Sequence, residues 1–335
     1  MNDHPVPDSL RNRAASLAAD GDWTALQELL RSEPTPVLLA DPRLAYHAAE
    51  ALYHTGHMAE LAEFAEAYER ASREAADVVA TMKALNLGGI AAFELGRTSE
   101  AEVRFDLLME LAEAEGDQDM LARAANNLGA LANLKGRRHE AIAYYNLAIP
   151  LYAKLGQVRG LAQSHHNLGM SYRDLDLLDD SVEEYKRSVV LAYRIDYVPL
   201  VAMATTGRAE SELRRGDGEL ARELAARGLQ AARDVGDPIS EAEALRVCGL
   251  TYAKSHGGDL DKARGDFEAA LELARATGNA LLEAEVERDL GRVEQADARP
   301  AEAVRLLESA HERFLALGAV AAARDVATDL SSLRN

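Results

Sequence analysis

Residues 121–155 read LARAANNLGALANLKGRRHEAIAYYNLAIPLYAKL, and the spacing of their small residues decides the fold. Leu128-Gly129 falls in one helical stretch, Gly136 marks a turn, and Ala141, Tyr145 and Ala148 share one face of a second helix. Residues three and four apart lie on one side of a helix, so this is the pattern of a helical hairpin. The hairpin recurs. The position of Gly129 is taken by Ala49, Gly89, Gly169, Ala209, Gly249 and Gly291, at steps of 40 residues and a last one of 42. Seven residues after each stand Gly56, Gly96, Gly136, Asp176 and Gly216, then Gly258 (after two inserted residues) and Ala298. Five further on come Leu61, Ala101, Ala141, Ser181, Ala221, Ala263 and Ala303, and Gly116, Gly156, Gly236, Gly278 and Gly318 close second helices. Copies in phase at this step specify an all-α solenoid of antiparallel helix hairpins, each burying its apolar face on its neighbours.

The succession Leu-Gly, turn glycine, alanine, aromatic (Phe105, Tyr145, Tyr185, Phe267) and small residue (Ala148, Ser188, Ala270, Ala310) resembles the tetratricopeptide repeat. The step of 40 rather than about 34 is similar to the longer-helix variety of kinesin light chains, spindle-orientation adaptors and bacterial peptide-sensing regulators. The resemblance covers about residues 42–318. It implies a right-handed superhelix whose first helices line a concave groove and whose second helices form the outside. It implies a binding surface rather than a chemistry.

The chain divides on this reading into a disordered tail (1–8), a degenerate capping hairpin with its linker (9–41), seven repeats (42–318) and a capping helix (319–335). First helices are predicted over 42–54, 79–95, 118–135, 158–175, 198–215, 238–255 and 280–297. Second helices are predicted over 57–75, 98–115, 138–155, 178–195, 218–235, 260–277 and 300–317. The segment SEPTPVLLADP, with three prolines, reads as a long connection. Pro150 falls inside a second helix, removes the bond to the Asn146 carbonyl, and predicts a kink or an early end. HGGD at 256–259 holds the two extra residues as a longer turn.

Composition narrows the function. Apolar content is 48% with only 5% aromatic, which suits helices packed through small side chains. The single cysteine, Cys248, excludes an internal disulfide and any multi-cysteine metal site, and as a stand-in for the leucine of Leu-Gly it reads as buried and inert. The amino-terminal MNDHPVPDSL lacks a secretion signal and no stretch is long enough to span a bilayer, so a cytoplasmic protein without a membrane partner is expected. No nucleophile, phosphate-loop or zinc-protease motif is present. His47 and His54 stand two turns apart, where metal binding wants histidines one turn apart and a third ligand. The expectation is a protein without catalysis, cofactor or metal.

Binding residues then follow from register. The Leu-Gly side of each first helix packs on its partner, so the opposite stripe faces the groove. In the third repeat that stripe is Arg123, Asn126, Asn127, Ala130 and Asn133. One repeat earlier it gives Lys83 and Asn86, one later Gln163, His166, Asn167, Met170 and Arg173, with His165 packed inward. Nearer the amino end it gives Tyr46, His47 and Glu50. Farther on come Thr206 and Glu210, then Arg246, then Arg288 and Arg292. The repeated asparagines offer both a donor and an acceptor, which suits the peptide groups of an extended segment whatever its side chains. Groove asparagines used in this way are similar to those of kinesin light chains. The leading expectation is an adaptor or scaffold holding a peptide or partner-protein segment of mixed charge. The alternatives are a ligand-responsive sensor module, or self-assembly through the end helices. Sensors of this kind usually carry an output domain before the repeats, and the roughly forty residues here hold no helix-turn-helix with a basic recognition helix, which argues against direct transcriptional control.

The net charge of −19 leaves no basic stripe to displace counterions from phosphates. Duplex DNA and RNA should therefore pass a gel-retardation assay unshifted. Tight, salt-sensitive retardation would overturn that expectation.

Overall fold

In a computed structural model the described residues, 7–254 and 258–334, form eighteen α-helices and no strand. Two compact units, residues 1–131 and 132–335, are each described separately. The first unit begins with α1 (Asp8–Asp20), α2 (Trp23–Arg31) and α3 (Thr35–Leu39). Two full hairpins follow, α4 (Pro42–His54) with α5 (Met58–Glu74), and α6 (Val78–Glu94) with α7 (Thr98–Glu115). Helix α8 (Gln118–Leu134) runs into the second unit, where α9 (Arg138–Leu155) follows. The next pairs are α10 (Val158–Asp174) with α11 (Leu178–Tyr193), and α12 (Val198–Arg215) with α13 (Gly218–Val235). The last are α14 (Pro238–Ala253) with α15 (Leu260–Ala276), α16 (Ala280–Ala296) with α17 (Pro300–Ala316), and α18 (Val320–Arg334). The architecture is an all-α solenoid, and the helices of the seven regular hairpins end within two residues of the sequence expectation.

Side-chain oxygens start many of these helices. Asp22, Asp41, Asp77, Asp117, Asp217, Asp237, Asp259 and Asn279 each accept a hydrogen bond from an amide in the first turn that has no helical partner. At the turns where glycine is missing, Asp176 and Ala298 adopt the left-handed conformation at φ 61° and 56°. The turn geometry is kept even where the side chain opposes it.

Hairpins close through a small residue set against a bulky one. A Cβ at Gly89 would stand 2.5 Å from the Phe105 ring, and one at Gly249 would stand 3.0 Å from Phe267. Gly169 faces Tyr185 and Gly291 faces Leu307 in the same way. Cys248 is buried beside Ala209, Leu224, Ala225 and Val247, and burial pushes its thiol up to about 12.

Three sequence expectations change. Helix α9 continues through Pro150 without ending, because the surrounding turns and its neighbours keep it helical around a single lost bond. The proline-rich connection contains α3, with Pro36 near its start, where a missing N–H costs nothing. Asp8, placed in the tail by sequence, opens α1 and pairs with Arg11 at 2.9 Å. Residues 1–6 of the expected tail and part of the HGGD turn lie outside the described residues.

The glycine contact makes a direct test. Gly89→Ala drives a methyl into the Phe105 ring and should cost about 1–3 kcal/mol of stability by overpacking. An unchanged urea midpoint would contradict the hairpin register.

Candidate functional site

In the first unit the first-helix face is built by α4, α6 and α8. The Lys83 ammonium lies 4.2 Å above the centre of the Tyr46 ring, a cation–π contact that holds the charge on the face. His47 Nδ1 stands 3.4 Å from a Glu50 carboxylate oxygen. The Asn127 side-chain amide donates to the Asn86 side-chain oxygen at 3.0 Å. Arg123 is anchored to Asp119 at 3.0 Å, and Asn126 and Asn127 are half-buried beside it. Asn86 departs from the expected open stripe. It is 7% exposed, because its Asn-Leu-Gly triplet sits one residue early and carries it toward the packed side.

The second unit's face is filled by its own side chains. Asn133 is buried and donates to the Tyr145 hydroxyl at 3.3 Å, while the Ser171 hydroxyl donates to Asn133 at 2.9 Å. It therefore ties α8, α9 and α10 together and is no groove residue. His166 is buried edge-on to Tyr185, with ring centres 5.4 Å apart. Burial first, and Arg173 second, bring its pKa down to about 4, so it is neutral at ordinary pH. His165 is buried too and hydrogen-bonds Glu184 at 2.5 Å. Thr206 is also buried, against Gly228 of α13. Gln163, Asn167 and Met170 remain half-buried on the face.

The arginines expected to await a ligand are joined into a ladder. Arg173 donates to Glu210 at 3.0 Å, and Arg246 donates to the same carboxylate at 2.7 Å. Arg246 also reaches Asp289 at 2.7 Å, and Arg288 donates to the other oxygen of Asp289 at 2.9 Å. Arg292 continues to Asp329 of α18 at 2.8 Å. One line of charge thus crosses α10, α12, α14, α16 and α18. Arg246 is only 6% exposed, so the expectation of an open groove arginine fails there. Burial opposes ionisation of Glu210, but Arg173, Arg246 and Arg214 outweigh it and hold the carboxyl well below its usual range. Asp289 is lowered likewise against burial by Arg288 and Arg246. Glu243 goes the other way, pushed up to about 7 by burial and then by Glu285.

The sequence reading missed Asp289, Glu243 and Glu285, and it named Glu210 without its partners. A usable signal existed. Opposite charges recur on first helices 37, 36 and 43 residues apart, close to one repeat step. Chemically the faces can hold hydrogen-bonding and charged groups. Among the described residues no group of three or more metal-binding side chains comes together. No described helix is long and apolar enough to cross a membrane.

Removing one rung tests the ladder. Glu210→Gln leaves the buried Arg246 and the half-buried Arg173 short of charge and should cost about 3–5 kcal/mol at neutral pH. Lowered carboxylate pKa values stabilise the fold above the unfolded value of about 4.3, and that stabilisation disappears as pH falls through the folded values. The deficit of the variant, read from urea midpoints, should therefore shrink on acidification. A deficit constant with pH would show that Glu210 acts through packing alone.

Comparison with known proteins agrees with this architecture. Two family models described as tetratricopeptide repeat match residues 78–154 with 252–316, and 162–192. The 43 kDa receptor-associated protein of the synapse from Tetronarce californica is 26% identical over 184 residues, 53% of this chain and 43% of its own length. The chain thus spans under half of that relative. Among solved structures, a Rap protein complexed with Competence and Sporulation Factor superposes with a TM-score of 0.66 at 13% identity, over 97% of this chain and 96% of that one. The apo quorum sensor NprR from B. thuringiensis superposes with a TM-score of 0.58 at 12% identity, over 98% of both chains. Such low identities establish the fold alone. With the family models matching more than half of its residues, the chain belongs to the tetratricopeptide repeat proteins.

Proposed function

We propose that the protein is a non-enzymatic adaptor that holds an extended peptide, or an extended segment of a partner protein, on the first-helix face of its first unit. One observation carries the reading: Lys83, Asn126, Asn127 and Arg123 form a polar row beside Tyr46, and Lys83 has no carboxylate partner among the described residues. Asparagine amides serve the backbone of a segment, and the two cations favour acidic side chains or a carboxylate. The second unit's face, satisfied by its own ladder, acts in this reading as a rigid support. Nucleic acid and membrane surfaces are not partners, in keeping with the acidic charge.

A sensor is the second reading. It is favoured by the likeness to a Rap protein whose structure contains Competence and Sporulation Factor and to the quorum sensor NprR. In that case the ligand would alter the stacking of the repeats, and hydrogen exchange in α12, α14 and α16 would change on binding.

A random-peptide display library panned on the full chain tests the adaptor reading. Lys83→Ala and Asn127→Ala should each weaken the selected peptides by about 1–3 kcal/mol, the first with an unchanged melting temperature and the second with a lowered one, because it strands the buried Asn86 oxygen. Asn86→Ala is expected to lower stability as well, since it removes a buried side chain together with the hydrogen bond it accepts from Asn127. Absence of any selected peptide, or normal affinity in both variants, would overturn the reading.

A further inference from the structure

The row of second helices has a gap. In the seven regular hairpins these helices run for 16 to 18 residues, but α2, the second helix of the capping hairpin, has nine. At about 1.5 Å per residue the shortfall is roughly 10–13 Å of helix. Helix α3, with five residues, refills only part of it. What remains is a recess of about 340 Å³ between α2, α3, α4 and α5. Its floor is apolar, formed by Leu30, Leu38, Ala48, Ala51, Leu52 and Phe64. Leu30, Leu38, Ala48 and Ala51 are buried beneath it, whereas Leu52 and Phe64 keep part of their surface open, so the longer side chains of a helix can drop between those two.

The rim is charged and unbalanced. Glu33, Glu60 and Glu63 stand against Arg31 alone, and none of the four makes an ion pair among the described residues. Unlike Glu210 or Asp289, these carboxylates have no internal task.

We propose that this recess is a docking site for a basic amphipathic helix of a partner protein. The missing half of α2 sets the shape of the occupant, a helix lying in the row of second helices. The floor sets one face, a stripe of leucine-like side chains. The unpaired rim carboxylates set the flanks, Lys or Arg on either side of that stripe. The site is independent of the first-helix face and of the adaptor reading.

Fluorescence polarisation with the full chain provides the test. Three labelled peptides of about 14 residues, or four helical turns, serve as probes. One is a Leu/Lys helix with leucines at amphipathic spacing, one has Glu in place of Lys, and one is the Leu/Lys composition scrambled to destroy the stripe. The Leu/Lys helix should bind with one-to-one stoichiometry, and the other two should not. Filling the recess with Leu52→Trp, or reversing the rim with Glu60→Lys and Glu63→Lys together, should each weaken it at least about tenfold. The rim pair is exposed, so that variant stays informative if the tryptophan disturbs folding. Lys83→Ala should leave this binding unchanged, which separates the recess from the first-helix face. Equal binding of the scrambled peptide, or indifference to the rim reversal, would overturn the proposal. So would uptake of dodecyltrimethylammonium without uptake of the Leu/Lys helix, which would assign the recess to a small amphiphile.

Discussion

The structure depends on backbone meeting ring. Where Gly89 faces Phe105 or Gly169 faces Tyr185, the first helix offers no side chain and the ring of the second helix takes its place. A close crossing lets modest apolar residues fill the interface at near-crystalline density. That is why a chain so poor in aromatics and rich in alanine can still hold eighteen helices together. Each hairpin then presents two flat sides of alanine and leucine to the next, and the stack follows.

The charged ladder of the second unit works differently from this packing. Removing a guanidinium from water is costly, and the attraction to a carboxylate in a poorly solvated site offsets that cost only when geometry and hydrogen bonding are good. Here Glu210 and Asp289 each receive three arginines at ion-pair distance, two of them in hydrogen bonds. Such a chain adds little net stability compared with well-packed leucines, but it fixes which residue of one first helix lies opposite which residue of the next. The ladder is thus a register device between repeats. The hairpin glycines set geometry within a repeat.

The fold was legible because its signals are local and repeated: the step of 40, the turn glycines and the alternation of helix faces. The candidate site was legible only in part. Lys83, Arg123 and Asn127 keep partial exposure, since a stripe opposite Leu-Gly must leave the packed side. Asn86 and Asn133 were misjudged because one residue of phase, or one turn, moves a side chain from an open face to a buried one. The ladder escaped because it is a relation between helices a full repeat apart, and single-column reading does not compare neighbouring columns. The early end allowed for at Pro150 is absent for the opposite reason, since local propensity yields to packing that extends over many residues.

The lone thiol has a consequence for how this molecule can be watched. In a stack of nearest-neighbour units, stability is spread along the chain, and segments open and close with their own free energies. Cys248 sits in α14 against Leu224 and Ala225 of α13, and burial disfavours its thiolate, the reactive form, while those two helices stay packed. Because the chain has no other cysteine, every labelling event reports that one place. The rate of thiol capture is therefore a clock for the opening of a single repeat, set into the molecule without any engineering.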